Sequence, residues 1–332
     1  MRVSVIIPAF NRADLIGATL DSLLAQTRPP AEIVLVDDGS TDGTPDVVSA
    51  YGSSVRLIRQ ENAGAAAARN HGFIASTGDA IHFMDSDDLS SPNSHAVQLA
   101  AIEAGADMAY GPWLKTRFSG QVVAPEPVVI QQSPVPPGVG LDQRILGTTW
   151  VTVFQPCLLR RTLVEAAGPY RTDLKPSEDT EMLYRLLCRA RHVVHTPQTI
   201  VLYRVHPENQ VSEAQPVKRL IDWARLQQVL ADHAARRTDL DPATLTDMHF
   251  ARTQAALEVY PHDASLATAL VPGISATAPL GHRIERLKRR IATRLRRVTT
   301  GARYGSAYAV GPLGRIQREQ IELMGYTAGK IV

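Results

Sequence analysis

The chain has 332 residues, is 44% hydrophobic and 20% charged, and carries a formal net charge of +2. That is ordinary for a soluble globular protein with a sizeable core in one large or two modest domains. It excludes a membrane span of the usual ~18 uninterrupted apolar residues, since the nearest window, Ala264 to Leu280, is broken by Pro272, Gly273 and Pro279. The N-terminal apolar run meets Pro8 and Asn11 too soon for a signal peptide. Cys157 and Cys188 are too far apart for a paired metal-ligand motif and are expected as reduced core residues of a cytosolic protein.

Taken in chain order, VSVII (Val3 to Ile7) predicts a strand, and ADLIGATLDSLLAQ carries apolar residues at helical spacing. EIVLV predicts a second strand, ending in DDGSTDGT, and TPDVVSAYG a second helix. VRLI is a third strand and AGAAAARNHGFIAS a third helix, rich in Ala for close packing. DAIHFM is a fourth strand, and SPNSHAVQLAAIEAG a helix begun by Ser-Pro. Strands that are continuously apolar and alternate with helices predict an α/β fold, a mostly parallel sheet covered on both faces.

Further along, residues 119–140 hold five prolines and three glycines, which predicts a loop with some edge strand. VFQPCLLRRTLVEAAG gives a strand end and a helix, and SEDTEMLYRLLCRA a helix that Ser177 is placed to cap. HVVHT and TIVLYRVH read as strands returning to the sheet. From about Gln215 the pattern is all-helical, so the predicted division is a catalytic domain over 1–214 and a helical region over 215–332.

Ligands of such sheets bind at the carboxyl ends of the strands. Here those ends read PAFN, DDGS and DSDD, and all should lie along one edge. Turn-making by Asp and Gly explains one such end more readily than three that converge. In DSDD, three acids fall within four positions and repel one another unless a cation sits among them.

In this order and spacing, VSVIIPAFNR, EIVLVDDGSTDGT, NAGAAAARNHG, DSDD, SEDTEMLYRL and YRVH resemble family 2 glycosyltransferases of the GT-A fold, over about residues 2–210. A nucleotide-sugar donor presents a diphosphate, and a divalent ion accepts the charge that builds on it as it leaves. Mg²⁺ and Mn²⁺ favour one or two carboxylates plus phosphate oxygens. The resemblance implies Asp85 toward the ribose, with Ser86 beside it, Asp87 on the metal and Asp88 as an auxiliary ligand. His206 is an expected third ligand, and Arg204 an expected diphosphate contact or else a surface pair. A calcium loop fits worse, because its sixth position is Ser90 and no Glu stands at the twelfth.

For the nucleotide base, Phe10 is expected to stack and Asp38 to accept from a ring N–H, with Asp37 as the alternative; a UDP-sugar is the expected donor. Pro8 is expected to shape the exit of the first strand. Arg69 is expected near base or phosphates, or in a salt bridge with a strand-end Asp. Direct displacement at the sugar carbon needs a base for the acceptor hydroxyl. The family pattern puts it on Asp179, after Glu178, with Glu181 a lesser substitute and inversion as the outcome. In isolation, the helix dipole would keep Asp179 at a low pKa. Gln155 and Trp150 are candidates for the acceptor side. Two alternatives stay open: a non-catalytic nucleotide-sugar or glycan-binding subunit of a membrane-associated assembly, and a nucleotidyltransferase. The latter usually has a Gly-rich loop after its first strand, and PAFNRAD has no glycine.

The tail changes the charge balance. From His282 onward the chain carries +9, leaving −7 on the rest. HRIERLKRRIATRLRRV, about 282–298, sets Ile284, Leu287, Ile291, Leu295 and Val298 on one stripe, with cations filling the remainder. That predicts an amphipathic helix for an anionic membrane surface, or one packed on the body. No nucleic-acid reading module accompanies it. The expected acceptor is then a glycan, a lipid-linked glycan or a polysaccharide, and the expected location is cytoplasmic, peripheral on the inner face of the plasma membrane.

Overall fold

The computed structural model describes residues 1–119, 122–125, 140–146, 153–175, 177–205, 216–275 and 315–328, with positions 282, 283, 286 and 288. Four parallel strands form first: β1 Val3–Ala9, β2 Glu32–Asp37, β3 Arg56–Arg59 and β4 Ala80–Phe83, lying in the order β4-β1-β2-β3. Their crossovers contain α1 Ala13–Leu24, α2 Thr44–Ser49 and α3 Ala65–Ala75, and α4 Ser94–Glu103 follows β4. Every residue of β1 is buried. Its side chains alternate between faces, so Val3, Val5 and Ile7 join one hydrophobic cluster and Ile6 another. Each full burial of this kind contributes about 1.5–3 kcal/mol before chain entropy is charged.

The alanines of α3 serve close packing, as expected. A Cβ on Gly72 would stand 2.5 Å from Ile6 Cγ2. Only a side chain this small lets α3 sit that near β1, and α3 carries Arg69 to the sheet edge.

β5 Leu89–Ser90 lies between β4 and α4, and beyond α4 come β6 Met108–Tyr110, β7 Trp113–Ser119, β8 Val122–Pro125, α5 Leu141–Leu146, β9 Cys157–Arg160, α6 Arg161–Ala167, α7 Glu178–Leu187, β10 Val193–His195 and β11 Val201–Arg204. Helices α8 Pro216–Ala234, α9 Pro242–Val259 and α10 Ala264–Leu270 follow, then α11 Arg315–Leu323 and β12 Thr327–Ala328. The main sheet has seven strands in the order β10-β6-β9-β4-β1-β2-β3. It is parallel except for β9, which runs antiparallel to both β4 and β6.

Several expectations change. HVVHT does return to this sheet as β10, but β11 joins a second, five-stranded sheet, β12-β8-β7-β11-β5. The region after 215 is not purely helical, because β12 pairs with β8 and Ile321 of α11 is buried against Leu89, Leu114 and Leu202. Ser177 occupies the N-cap position of α7 without a side-chain capping bond. Cys157 is buried as expected, whereas Cys188 is exposed at the end of α7. Of the expected loop, β8 and the end of β7 are seen; most of the segment lies outside the described residues. Among the described residues no helix is long and apolar enough to cross a membrane.

Candidate active site

The polar ends of β1, β2 and β4 do meet at one edge. Asn11, in the left-handed region with φ 53°, locks the first two together: its amide donates to Ser40 Oγ at 2.9 Å and its Oδ1 accepts from the Thr41 amide at 2.9 Å. Asn tolerates that conformation better than most residues. Pro8 is buried within β1, opposite Val36, and Phe10 stands 43% exposed just past the strand.

Asp37 and Asp38 are each held by bonds within the protein. Both are buried. Asp37 accepts from the Ser40 amide at 3.2 Å and from Arg59 Nε at 3.1 Å. Asp38 accepts from the amides of Ala63 (2.9 Å) and Gly64 (2.8 Å) and from Gln60 Nε2 (2.7 Å). Their oxygens shape the turn that leads into α3.

After β4 the chain turns through Asp85, Ser86, Asp87 and Asp88. Ser86 is buried, and its carbonyl accepts from Thr19 Oγ1 at 3.2 Å, tying the turn to α1. Carboxylate oxygens of Asp85, Asp87 and Asp88 lie within 4.8 Å of one another. Asp87 Oδ2 is 3.3 Å from Arg12 Nε. Asp88 Oδ1 accepts the amide of Arg204 at 2.8 Å, joining the turn to β11, while its buried Oδ2 has no hydrogen-bond partner. Burial, and then Asp87 and Asp85, push the Asp88 carboxyl well above the usual range. An all-oxygen donor set, crowded and with an orphaned buried oxygen, fits a hard divalent cation such as Mg²⁺ or Mn²⁺.

Arg69 is the hub of the other half. Its Nη2 donates to Asp85 Oδ1 at 2.7 Å, and its Nη1 lies 3.2 Å from Asp179 Oδ1 and 3.5 Å from Glu178 Oε1. The salt bridge with a strand-end Asp, one of the two expectations for Arg69, is the one observed. The guanidinium also lies over the Tyr170 ring, 5.4 Å from its centre. Tyr170 is held there by reciprocal bonds with Asn70, amide to Oδ1 at 2.8 Å and Nδ2 to carbonyl at 2.9 Å.

Asp179 and Glu178 open α7. The low pKa expected of Asp179 is overturned. Burial pushes its carboxyl up to about 7, with Glu178 and Asp85 adding to the rise and Arg69 opposing it. Desolvation of this carboxylate outweighs a helix dipole that is felt within a single turn. The side chain stays about a third exposed, so it remains reachable. Glu181, by contrast, is turned inward onto Arg185 at 2.9 Å and His233 at 3.3 Å and takes no part in the cluster.

Arg204 is buried, with its guanidinium 4.7 Å from the centre of the Phe118 ring. His206, Trp150 and most of the basic helix lie outside the described residues; Arg283, Arg286 and Lys288 are exposed, while His282 is buried and stacks on Phe250 at 4.7 Å. Arg12, Tyr170 and the grip of Gln155 on Asp85 were missed by sequence reasoning. Arg12 had a signal in its place directly after PAFN; nothing in the sequence marks Tyr170.

Residues 4–167 match the sequence model of glycosyl transferase family 2. The uncharacterized glycosyltransferase YibD of Escherichia coli (strain K12) is 38% identical over 112 residues, 32% of this chain and 33% of YibD. An uncharacterized glycosyltransferase of Haemophilus influenzae is 26% identical over 243 residues, 72% of this chain and 81% of its own. The chain spans about a third of YibD and 63% of EpsH of Bacillus subtilis (strain 168), to which it is 28% identical over 223 residues. Among solved structures, Staphylococcus aureus TarS 1-349 in complex with UDP-GlcNAc superposes with a TM-score of 0.58 at 21% identity, covering 87% of this chain and 79% of that one. The mannosyltransferase PcManGT of Pyrobaculum calidifontis, in complex with GDP-Man and Mn²⁺, gives 0.53 at 19%, covering 98% and 84%. These likenesses show the fold, which is GT-A. Through residues 4–167, the chain belongs to glycosyl transferase family 2.

Proposed function

We propose that this chain is an inverting, metal-dependent glycosyltransferase that moves a sugar from a nucleoside-diphosphate sugar to a hydroxyl of a glycan, lipid-linked or polysaccharide acceptor. The observation that carries the reading is one edge of the sheet holding two sets of acids: Asp85, Asp87 and Asp88 within 4.8 Å of one another, and Asp179 across Arg69 from them. Its fold neighbours' complexes with UDP-GlcNAc and with GDP-Man and Mn²⁺ support the donor class.

In this reading Asp87 and Asp88 hold the divalent ion, with His206 as a third ligand, and Asp85 with Ser86 faces the ribose. When bound, the ion supplies positive charge against the departing diphosphate. Asp179 accepts the proton of the acceptor hydroxyl at its exposed edge as the new C–O bond forms, and a single base without a positioned nucleophile gives inversion. Phe10, exposed beside the Asn11 latch, offers its ring to the base, with Pro8 fixing where the strand releases it. Buried Arg204, tied through its amide to Asp88, lies on the diphosphate side. A uridine donor is the first to test, since the neighbour with the higher TM-score carries UDP-GlcNAc. The exposed Arg283, Arg286 and Lys288 support contact of the tail with an anionic membrane on the cytoplasmic side.

The test is slow hydrolysis of UDP- and GDP-sugars by the full chain without acceptor. Turnover that stops with a chelator and returns with Mn²⁺ supports the enzyme. Donor binding with no turnover, even with acceptor extracts, would instead favour the non-catalytic subunit.

A further inference from the structure

Two buried histidines, His82 on β4 and His95 on α4, have no part in the chemistry above, yet they sit directly behind the acidic turn. Buried polar side chains carry a desolvation cost and are retained where their hydrogen bonds hold something. Here the bonds run in one direction. His82 Nε2 is 2.7 Å from the carbonyl of Gln155, and His82 Nδ1 is 2.9 Å from His95 Nε2. A carbonyl only accepts, so His82 carries its proton on Nε2. In the neutral ring Nδ1 then accepts, which makes His95 Nε2 the donor. Burial lowers the His82 pKa to about 4 and drives His95 well below its ordinary value, consistent with two neutral rings.

The next carbonyl is held from the same helix. Gln98 Nε2 donates to Pro156 O at 2.7 Å. Helix α4 and strand β4 therefore pin two successive peptide groups just before β9. The Gln155 side chain, itself buried, springs from that fixed point and donates through Nε2 to Asp85 Oδ2. Asp85 is thus gripped on both oxygens, by Gln155 on Oδ2 and by Arg69 on Oδ1. Gln155 grips without adding charge, so it fixes the direction of the carboxylate and leaves its electrostatics to Arg69.

We propose that Gln155 is a positioning residue for Asp85, and that the His95–His82 chain sets where Gln155 stands. The inference rests on the reading that Asp85 faces the donor. Its consequence is preorganisation: a carboxylate already fixed in direction has less freedom to lose when a nucleotide arrives.

The test uses full-length protein and isothermal titration with UDP or GDP in the presence of Mn²⁺, at a temperature where urea unfolding shows each variant fully folded. Gln155→Met keeps length and burial but removes the donor. It should weaken nucleotide binding about two- to tenfold, the cost of ordering the freed Asp85 side chain on binding. His95→Phe should weaken it severalfold through Gln155, and His95→Gln, which keeps an N–H donor, should recover most of the loss. Packing alone would not distinguish those two variants in nucleotide affinity. Gln155→Met binding like wild type, or His95→Phe and His95→Gln behaving alike, overturns the inference. Wild-type protein that binds neither nucleotide with Mn²⁺ overturns the functional reading instead.

Discussion

Asp85 and Asp179 share one guanidinium: Arg69 donates to Asp85 Oδ1 at 2.7 Å and stands 3.2 Å from Asp179 Oδ1. One acid ends a central strand and the other begins a helix almost a hundred residues later, yet a single buried cation fixes both. A change of charge at either is felt at the other, because the guanidinium between them is buried. The proposed donor and acceptor sides of the reaction are thereby electrically linked.

Removing the base without changing its shape separates binding from chemistry. Asp179→Asn should leave UDP–Mn²⁺ affinity within about threefold, while transfer falls by about 10²–10⁴, the usual worth of a general base. Steady-state transfer and titration calorimetry on the same preparation check this. A variant with near-normal turnover removes Asp179 from the role.

The pH dependence follows from the raised pKa. A base works deprotonated, so kcat/KM should rise about tenfold per pH unit at low pH and flatten above the Asp179 value of about 7. Glu178 contributes to that rise, so Glu178→Gln should move the acid limb to lower pH. A limb that stays put, or moves up, contradicts the electrostatic account.

Asp87→Ala takes one carboxylate from the acidic turn and leaves Arg12 beside it without this partner. Manganese-dependent nucleotide affinity should drop by about tenfold or more, with little change in the metal-free titration. An unaltered Mn²⁺ titration counts against Asp87 as a ligand.

Asp38→Ala tests stability rather than recognition. It strips an acceptor from two backbone amides and from Gln60, at about 2–4 kcal/mol for buried donors left without partners. Urea unfolding should register that loss. A stable variant with altered preference among nucleotides would point to Asp38 as a base contact.

For the tail, exchanging Arg283, Arg286 and Lys288 for Glu should reduce co-sedimentation with phosphatidylglycerol vesicles by about tenfold or more, at ~1 kcal/mol per cation near the surface. Equal sedimentation of variant and wild type favours a tail packed on the protein.

Strands β1, β2 and β4 and the acidic turn were legible because a strand buried on both faces must be apolar throughout, and because three crowded acids at a strand end are hard to explain otherwise. Other features were written in tertiary contacts. CLLR gives no hint that β9 runs antiparallel between two parallel strands. YRVH reads as a strand, but which sheet it joins is decided by β5 and β7. The acids at Asp37 and Asp38 look like ligands in sequence; that they also hold the amides of Ser40, Ala63 and Gly64 is written only in the fold. The dipole at Asp179 is local and readable, whereas the desolvation that overrides it depends on how the fold buries the side chain beside Arg69 and Asp85.

The placing of β9 also bears on how the chain assembles. Strands β1 to β4 pair only with one another until residues 157–160 arrive, and β6 has no neighbour on that side without them. A nascent chain can condense its N-terminal half early from near-neighbour contacts, but it must keep the flank of β4 open for a segment some seventy residues downstream. That open flank is an unpaired, apolar edge, the kind of surface on which incomplete chains stick to each other. Synthesis halted before Cys157 should therefore yield aggregation-prone fragments, and closure of the sheet should coincide with the arrival of the Gln155–Pro156 segment that grips the acidic turn.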